Sequence, residues 1–87
     1  MLIKDVALWD CYVSGVTESL KHIKAKTVFR GNKVEQFAGA TKSTDLVIIL
    51  FSDVTEAQDW FHGPDYQKLI PLRDSAADVD IALYEYR

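Results

Sequence analysis

The first periodic pattern along the chain is that of an amphipathic helix. Apolar side chains recur at intervals of three and four residues after Asp5, which places them in one stripe on a helix. The stripe consists of Trp9, Tyr12, Val13, Val16, Leu20 and Ile23. Asp5 is a suitable N-cap, because its carboxylate can accept hydrogen bonds from the free amide groups of the first turn. Only residues 1–4 precede the helix, so we expect a very short first strand.

Two segments rich in β-prone residues follow this helix. In the segment from Lys26 to Phe37, the pair Gly31-Asn32 favours a turn, which predicts a strand that ends in, or folds over into, a short hairpin. The run from Leu46 to Phe51 is apolar at every position. Such a run is typical of a strand that is buried on both faces, so we expect it in the centre of a sheet.

Two short helices are predicted next. Ser52 or Asp53 can cap the first helix, and Gly63 is a suitable residue to end it. Pro64 fits the first turn of the second helix, which is expected to reach about residue 70, where Pro71 kinks or ends it.

The last predicted element is a strand over Val79 to Arg87, where apolar and other residues alternate. The order of elements is then βαββαβ, which is the ferredoxin-like plan, in one α+β domain over residues 1–87. Its antiparallel sheet carries the helices on one face, and no element remains to cover the other. Since the run from Leu46 to Phe51 requires cover on both sides, we expect a homodimer that pairs two sheets.

Composition limits the class of partner. The chain has a net charge of −3 and no Lys/Arg stripe of the kind that nucleic acids or anionic membranes attract. Cys11 is the single cysteine, which excludes an internal disulfide and a CxxC pair. The longest apolar run is far shorter than the roughly 20 residues of a membrane-spanning helix, and the start has no signal-peptide pattern. We therefore expect a cytoplasmic protein with no nucleic-acid or membrane partner.

Residues with catalytic potential are few. Asp59 and His62 lie three positions apart at the end of a predicted helix, where an acid could orient a general base. The alternative is that His62 complements the helix dipole. No further ligand-type residue joins them at metal-binding spacing, and no glycine-rich phosphate loop occurs, so we expect neither a metal nor a cofactor.

Arg30, Tyr66 and Arg73 are the candidate ligand-binding residues. Tyr66 and Arg73 are seven positions apart, on one helical face if Pro71 does not intervene. Arginine can bind a carboxylate in bidentate fashion, and a tyrosine hydroxyl adds an orienting hydrogen bond. The alternative is a structural ion pair with an aspartate. The candidate partners for that pair are Asp5, Asp65 and Asp74.

Several motifs resemble those of a known family. They are Phe51-Ser52-Asp53, Ala57, Trp60, Gly63-Pro64-Asp65-Tyr66-Gln67, Leu72-Arg73 and Ala76-Ala77, together with Asp5, Trp9, Tyr12 and Arg30-Gly31-Asn32. They resemble the family catalogued as domain of unknown function 1330. The resemblance implies a ferredoxin-like fold of the dimeric α/β-barrel kind, in which two sheets close face to face. The first strand is shorter than in that pattern, and Leu50 stands where a glutamate is expected.

Three functions remain open. The first is a homodimer that binds a small apolar or anionic metabolite between its sheets. The second, implied by the enzymes of the same superfamily, is a cofactor-independent oxygenase or isomerase in which His62, Asp59 or Tyr66 moves a proton. The third is a structural or interaction protein with a solid core.

Overall fold

The predicted amphipathic helix is α1, Val6–Ser19, in a computed structural model that describes residues 1–86. The Asp5 carboxylate accepts a hydrogen bond of 3.1 Å from the Leu8 amide, which confirms the predicted N-cap. The helix ends at Ser19, so Ile23 lies beyond it rather than on its last turn.

The strands form two antiparallel pairs. β1, Leu2–Ile3, pairs with β4, Ala77–Asp78, and β2, Ala25–Asn32, pairs with β3, Asp45–Phe51. Met1 joins the two pairs: its amino group donates to the Asp45 carbonyl at 2.8 Å, and its carbonyl accepts from the Asp45 amide at 3.1 Å. The two pairs are thus neighbours at Met1 but not one hydrogen-bonded sheet, an arrangement compatible with the ferredoxin-like fold, and the short first strand is confirmed.

The hairpin predicted before Phe37 is absent from the described chain. Arg30, Gly31 and Asn32 continue β2, because they pair with residues 45–47 of β3. A bulge between Thr27 and Phe29 shifts the register of β2 by one residue. Residues 33–44 then form the connection between the two strands.

Only one face of β3 is covered within the chain. Along the strand, more and less exposed residues alternate, and Leu46, Ile48 and Leu50 are each about half exposed. The prediction of a strand covered on both faces is therefore not met by a single copy. Beyond the contact of Asp45 with Met1, the described hydrogen bonds of β3 to another strand go to β2 alone, so β3 is less central than predicted.

Three helices follow β3. They are α2, Val54–His62, α3, Pro64–Gln67, and α4, Ile70–Ala76. The Asp53 carboxylate caps α2 by accepting from the Glu56 amide at 2.7 Å, and Gly63 ends that helix, as predicted. The role predicted for Pro71 is wrong: it lies in the first turn of α4, where a missing amide hydrogen costs nothing, and so begins a helix.

The predicted final strand over Val79 to Arg87 is wrong for the described residues. β4 is only two residues long, and residues 79–86 form neither helix nor strand, while Arg87 lies outside the described residues. The physical reason is the register. Asp78 pairs with Leu2, the first residue of β1, so the described pairing of β4 ends at that residue.

The hydrophobic core lies among the helices and where they pack against one face of the sheet. Tyr12, Tyr66 and Leu69 form its buried centre. The half-buried side chains around this centre are Trp9, Val13, Val16, Trp60, Phe61, Ile70 and Leu72. None of the helices in the described part of the chain combines the length and the apolar character that crossing a membrane requires.

Candidate functional site

Tyr66 is the most deeply buried large side chain, with 0% of its surface exposed. The break between α2 and α3 at Gly63-Pro64 turns the chain back, so that the Tyr66 ring packs against two rings of α2. Its centroid lies 4.6 Å from that of Trp60 and 4.8 Å from that of Phe61. The local sequence thus directs this tyrosine into the core.

The Tyr66 hydroxyl is the centre of a short hydrogen-bonded chain. It shares a hydrogen bond of 2.8 Å with the Tyr12 hydroxyl of α1, and it accepts one of 3.1 Å from Nη1 of Arg73 in α4. Nε of Arg73 donates to the Asp74 carboxylate at 3.2 Å. Three helices are therefore joined through one phenol oxygen.

Tyr12 and Arg73, at the two ends of this hydrogen-bonded series, both keep their protons. Burial raises the pKa of Tyr12 well above its ordinary value, and the hydrogen bond to Tyr66 acts in the same direction. Partial burial lowers the pKa of Arg73, but its hydrogen bond to Tyr66 and the nearby Asp74 more than offset that effect, so the net pKa is raised. A buried Tyr12 phenol that holds its proton is a poor general base, so the chain Tyr12–Tyr66–Arg73 favours structure over proton transfer.

The structure brings two of the three predicted ligand-binding residues together. Tyr66 and Arg73 are hydrogen-bonded, although they lie on two separate helices and not on one helical face. Arg73 also makes an ion pair with Asp74, which was one of the candidate aspartates. Arg30 lies exposed on β2, and no hydrogen bond joins it to either residue in the described structure. Ligand binding by these residues stays a prediction.

Asp59 and His62 are both exposed on α2. No hydrogen bond or ion pair connects them among residues 1–86, and the His62 ring instead meets Phe61 edge-on with centroids 5.3 Å apart. His62 occupies the last turn of α2, where a cationic imidazole would complement the helix dipole. The geometry offers no support for the Asp–His pair that the spacing suggested.

An open depression of about 500 Å³ lies beside α2. Carboxylates surround it, and the Trp60 indole, which donates to Ser19 Oγ at 2.9 Å, forms part of its wall. The acidic residues are Asp53, Glu56, Asp59 and Asp65. Within the described residues, no three potential ligands are grouped closely enough to hold a metal ion.

The second face of the β2–β3 sheet is another candidate site. Residues paired across antiparallel strands share a face, so Phe29 with Ile48, and Lys26 with Leu50, lie on the side away from the helices. Phe29, Leu46, Ile48 and Leu50 are between 46% and 55% exposed. We call this surface, defined by these four side chains and Lys26, the open face.

Phe29 also explains a glycine on the same face. A Cβ at Gly31 would lie 2.8 Å from Cζ of Phe29, so the aromatic ring rests over the glycine backbone. Phe29 could not be assigned to a site from the sequence, because the bulge in β2 hides which residues share a face. The uninterrupted apolar run in β3 did indicate that this strand requires cover on two sides.

Comparison with known proteins places these features in one family. No curated protein matches the chain. The sequence pattern of the family described as Domain of unknown function (DUF1330) matches residues 1–86, nearly the whole chain. The resemblance seen in the motifs is therefore confirmed, and the chain belongs to the DUF1330 family.

Proposed function

We propose that this protein is a homodimer that holds a small apolar or anionic molecule between two open faces. The observation that carries the proposal is the excess of exposed surface. The chain has an accessible surface of 6722 Å² and a mass of 9.9 kDa, whereas a folded monomer of that mass exposes roughly 5,200 Å². The excess of roughly 1,500 Å² is larger than the ~800 Å² that each partner buries in an interface of standard size.

The shape and chemistry of the chain support the same assembly. Its extents are 35 × 35 × 17 Å, so it is a flat two-layer body with helices on one side. The open face is apolar at its centre, and exposed apolar patches of this kind favour association. A second copy provides a surface of matching size and composition, and two-fold symmetry closes the assembly at a dimer.

The residues on the open face indicate the class of ligand. Phe29, Leu46, Ile48 and Leu50 would line the space between two sheets with aromatic and aliphatic groups. Lys26 is the register partner of Leu50 and adds a cation on the same side. A mostly apolar site with one charged group suits a small aliphatic or aromatic carboxylate.

Binding is favoured over catalysis because the candidate catalytic groups do not converge on this face. Tyr66 is enclosed by the helix layer, and Asp59 and His62 lie on α2 without a mutual hydrogen bond in the described structure. By its register with Val47, Arg30 lies on the side of the sheet that faces the helices. We therefore assign the anion contact to Lys26.

Sedimentation equilibrium tests the dimer. Ile48→Glu places a charge at the centre of the open face and is expected to convert the dimer to a monomer with unchanged circular dichroism. Ser14→Glu on the exposed side of α1 is the matched control and should remain dimeric. A wild-type chain that stays monomeric at all concentrations would refute the dimer.

A thermal-shift panel of small aromatic and aliphatic carboxylates, each with its neutral amide, tests the ligand class. We expect some acids to raise the melting temperature of the wild type, and Lys26→Gln to reduce the shift for acids but not for amides. Lys68→Gln, on the exposed helix side, should leave both shifts unchanged. If no compound stabilises the dimer, ligand binding is contradicted while the dimer is not.

A further inference from the structure

Phe29 is the aromatic member of the open face, and its ring lies along its own strand. A Cβ at Gly31 would lie 2.8 Å from Cζ, 3.1 Å from Cε1 and 3.7 Å from Cε2 of Phe29, so the far end of the ring occupies the space above the glycine. Phe29 is nevertheless 49% exposed. The strand therefore covers one side of the ring, and the other side faces outward.

The neighbours of this ring on the open face are aliphatic. Phe29 pairs with Ile48 across the two strands. Gly31 pairs with Leu46, so the ring extends from the level of Ile48 to that of Leu46. Aliphatic side chains bind any apolar group by burial, whereas an aromatic ring also favours offset-stacked or edge-to-face contact with a second ring. Phe29 is thus the side chain of this face that can distinguish an aromatic ligand from a saturated one.

The cation of the open face lies within reach of the same ring. Lys26 pairs with Leu50, and Phe29 pairs with the residue two positions before it on β3. Two residues of a strand span roughly 7 Å. The lysine ammonium group lies at the end of a flexible four-carbon stem. A carboxylate that is joined to an aromatic ring directly, or through one or two carbons, can therefore contact both side chains.

We propose that the ring of Phe29, seated over Gly31, is the stacking surface of the ligand site and selects aromatic carboxylates over saturated carboxylates of similar size. The inference rests on the proposed ligand site between two open faces and narrows its ligand class. Gly31 contributes by having no side chain, because any Cβ at this position would displace the ring.

Matched pairs of acids test the stacking surface. Benzoate, phenylacetate and phenylpropionate are each compared, by isothermal titration calorimetry on the wild type, with the acid that carries a cyclohexyl ring in place of the phenyl ring. The saturated ring is of similar size and at least as apolar, so burial alone does not favour the aromatic acid. We expect the aromatic acid of a pair to bind roughly three- to tenfold more tightly.

Substitutions at two positions separate the presence of the ring from its placement. Phe29→Leu keeps an apolar side chain and should abolish the preference, whereas Phe29→Tyr keeps the ring and should retain it. Gly31→Ala puts a methyl group where the far end of the ring lies, so the ring must shift and the preference should fall. Alanine fits the backbone there, because Gly31 lies outside the left-handed region. Phe37→Leu, at a 91% exposed residue, is the matched control and should keep the wild-type preference.

Each of the remaining outcomes overturns a defined part of the inference. If the wild type binds both acids of every pair equally, or if Phe29→Leu retains the preference, the stacking surface is refuted while the ligand site between the open faces stands. An unchanged preference in Gly31→Ala would refute the role of Gly31 in seating the ring. If no acid binds the wild type, the inference and the proposed ligand site both fail.

Discussion

Tyr12 and Tyr66 lie 54 positions apart in the chain, and their hydroxyl groups share a hydrogen bond of 2.8 Å inside the helix layer. The contact ties α1 to α3, and Arg73 extends it to α4. It is a polar link within an otherwise aromatic core, so its loss should be measurable in the stability of the protein.

Replacing Tyr66 by Phe removes the hydroxyl oxygen to which both Tyr12 and Arg73 are hydrogen-bonded. Tyr12 and Arg73 both lose a partner in a poorly hydrated setting, so we expect Tyr66→Phe to lower the free energy of unfolding by about 1–3 kcal/mol in urea titrations. Tyr84→Phe, at an 86% exposed residue, is the matched control and should change stability by less than about 0.5 kcal/mol. Equal stability of the two variants would show that the hydroxyl contributes nothing.

The raised pKa of Tyr12 predicts a loss of stability at alkaline pH. The folded chain retains the Tyr12 proton where the unfolded chain, with an ordinary pKa near 10, releases it, so ionisation stabilises the unfolded state there. The stabilising contribution is complete below about pH 9 and declines as the pH rises above about 10. Unfolding titrations across this range should give a shallower decline for Tyr12→Phe. Identical slopes for the variant and the wild type would contradict the prediction.

Gly15 allows close contact between α1 and Leu69. A Cβ at Gly15 would lie 2.5 Å from Cδ2 and 3.2 Å from Cδ1 of Leu69. Alanine favours a helix by about 1 kcal/mol over glycine, but overpacking costs about 1–3 kcal/mol, so Gly15→Ala should destabilise or at best be neutral. In the Leu69→Val background, Gly15→Ala should lower the free energy of unfolding by a smaller amount. If Gly15→Ala in the wild-type background raised the free energy of unfolding by the full difference in helix propensity between alanine and glycine, Leu69 would have to move aside without cost.

Asp53 caps α2, and Asp53→Ala should lower the free energy of unfolding by about 0.5–2 kcal/mol. The Glu56 carboxylate accepts from Ser52 Oγ at 2.8 Å, so part of the turn before α2 is held independently. Asp59→Ala, an exposed change within the same helix, is the control and is expected to have little effect. The cap assignment fails if thermal unfolding gives the same loss for both variants.

The local elements could be predicted because local chemistry determines them. Asp5, Gly63 and Pro64 each act at a helix end within a few residues and were placed correctly, and Asp53 is one of the two caps that the sequence offered for α2. Pro71 shows the limit of the same reasoning. A proline can end one helix or begin another, and only the packing of the following turn decides between these outcomes.

The candidate site could be predicted only in part. Tyr66 and Arg73 were grouped as candidate ligand-binding residues, on one helical face if Pro71 did not intervene, and the structure joins them from two helices instead. The sequence did not reveal Tyr12 as the third member, because a tyrosine in an apolar stripe has the pattern of a core residue. The pairing of Asp59 with His62 followed from spacing alone. Spacing does not tell whether two exposed side chains turn toward each other or toward water.

The sequence by itself determined the amphipathic first helix, the order of elements, the membership of the DUF1330 family and the apolar character of β3, since these depend on periodicity and on short motifs. Tertiary structure decided the length of β4, the face on which each residue of β2 lies and the surroundings of Tyr66. Strand pairing and buried hydrogen bonds join residues that are distant in the chain. Which residues meet depends on register and packing, and a bulge of one residue changes it.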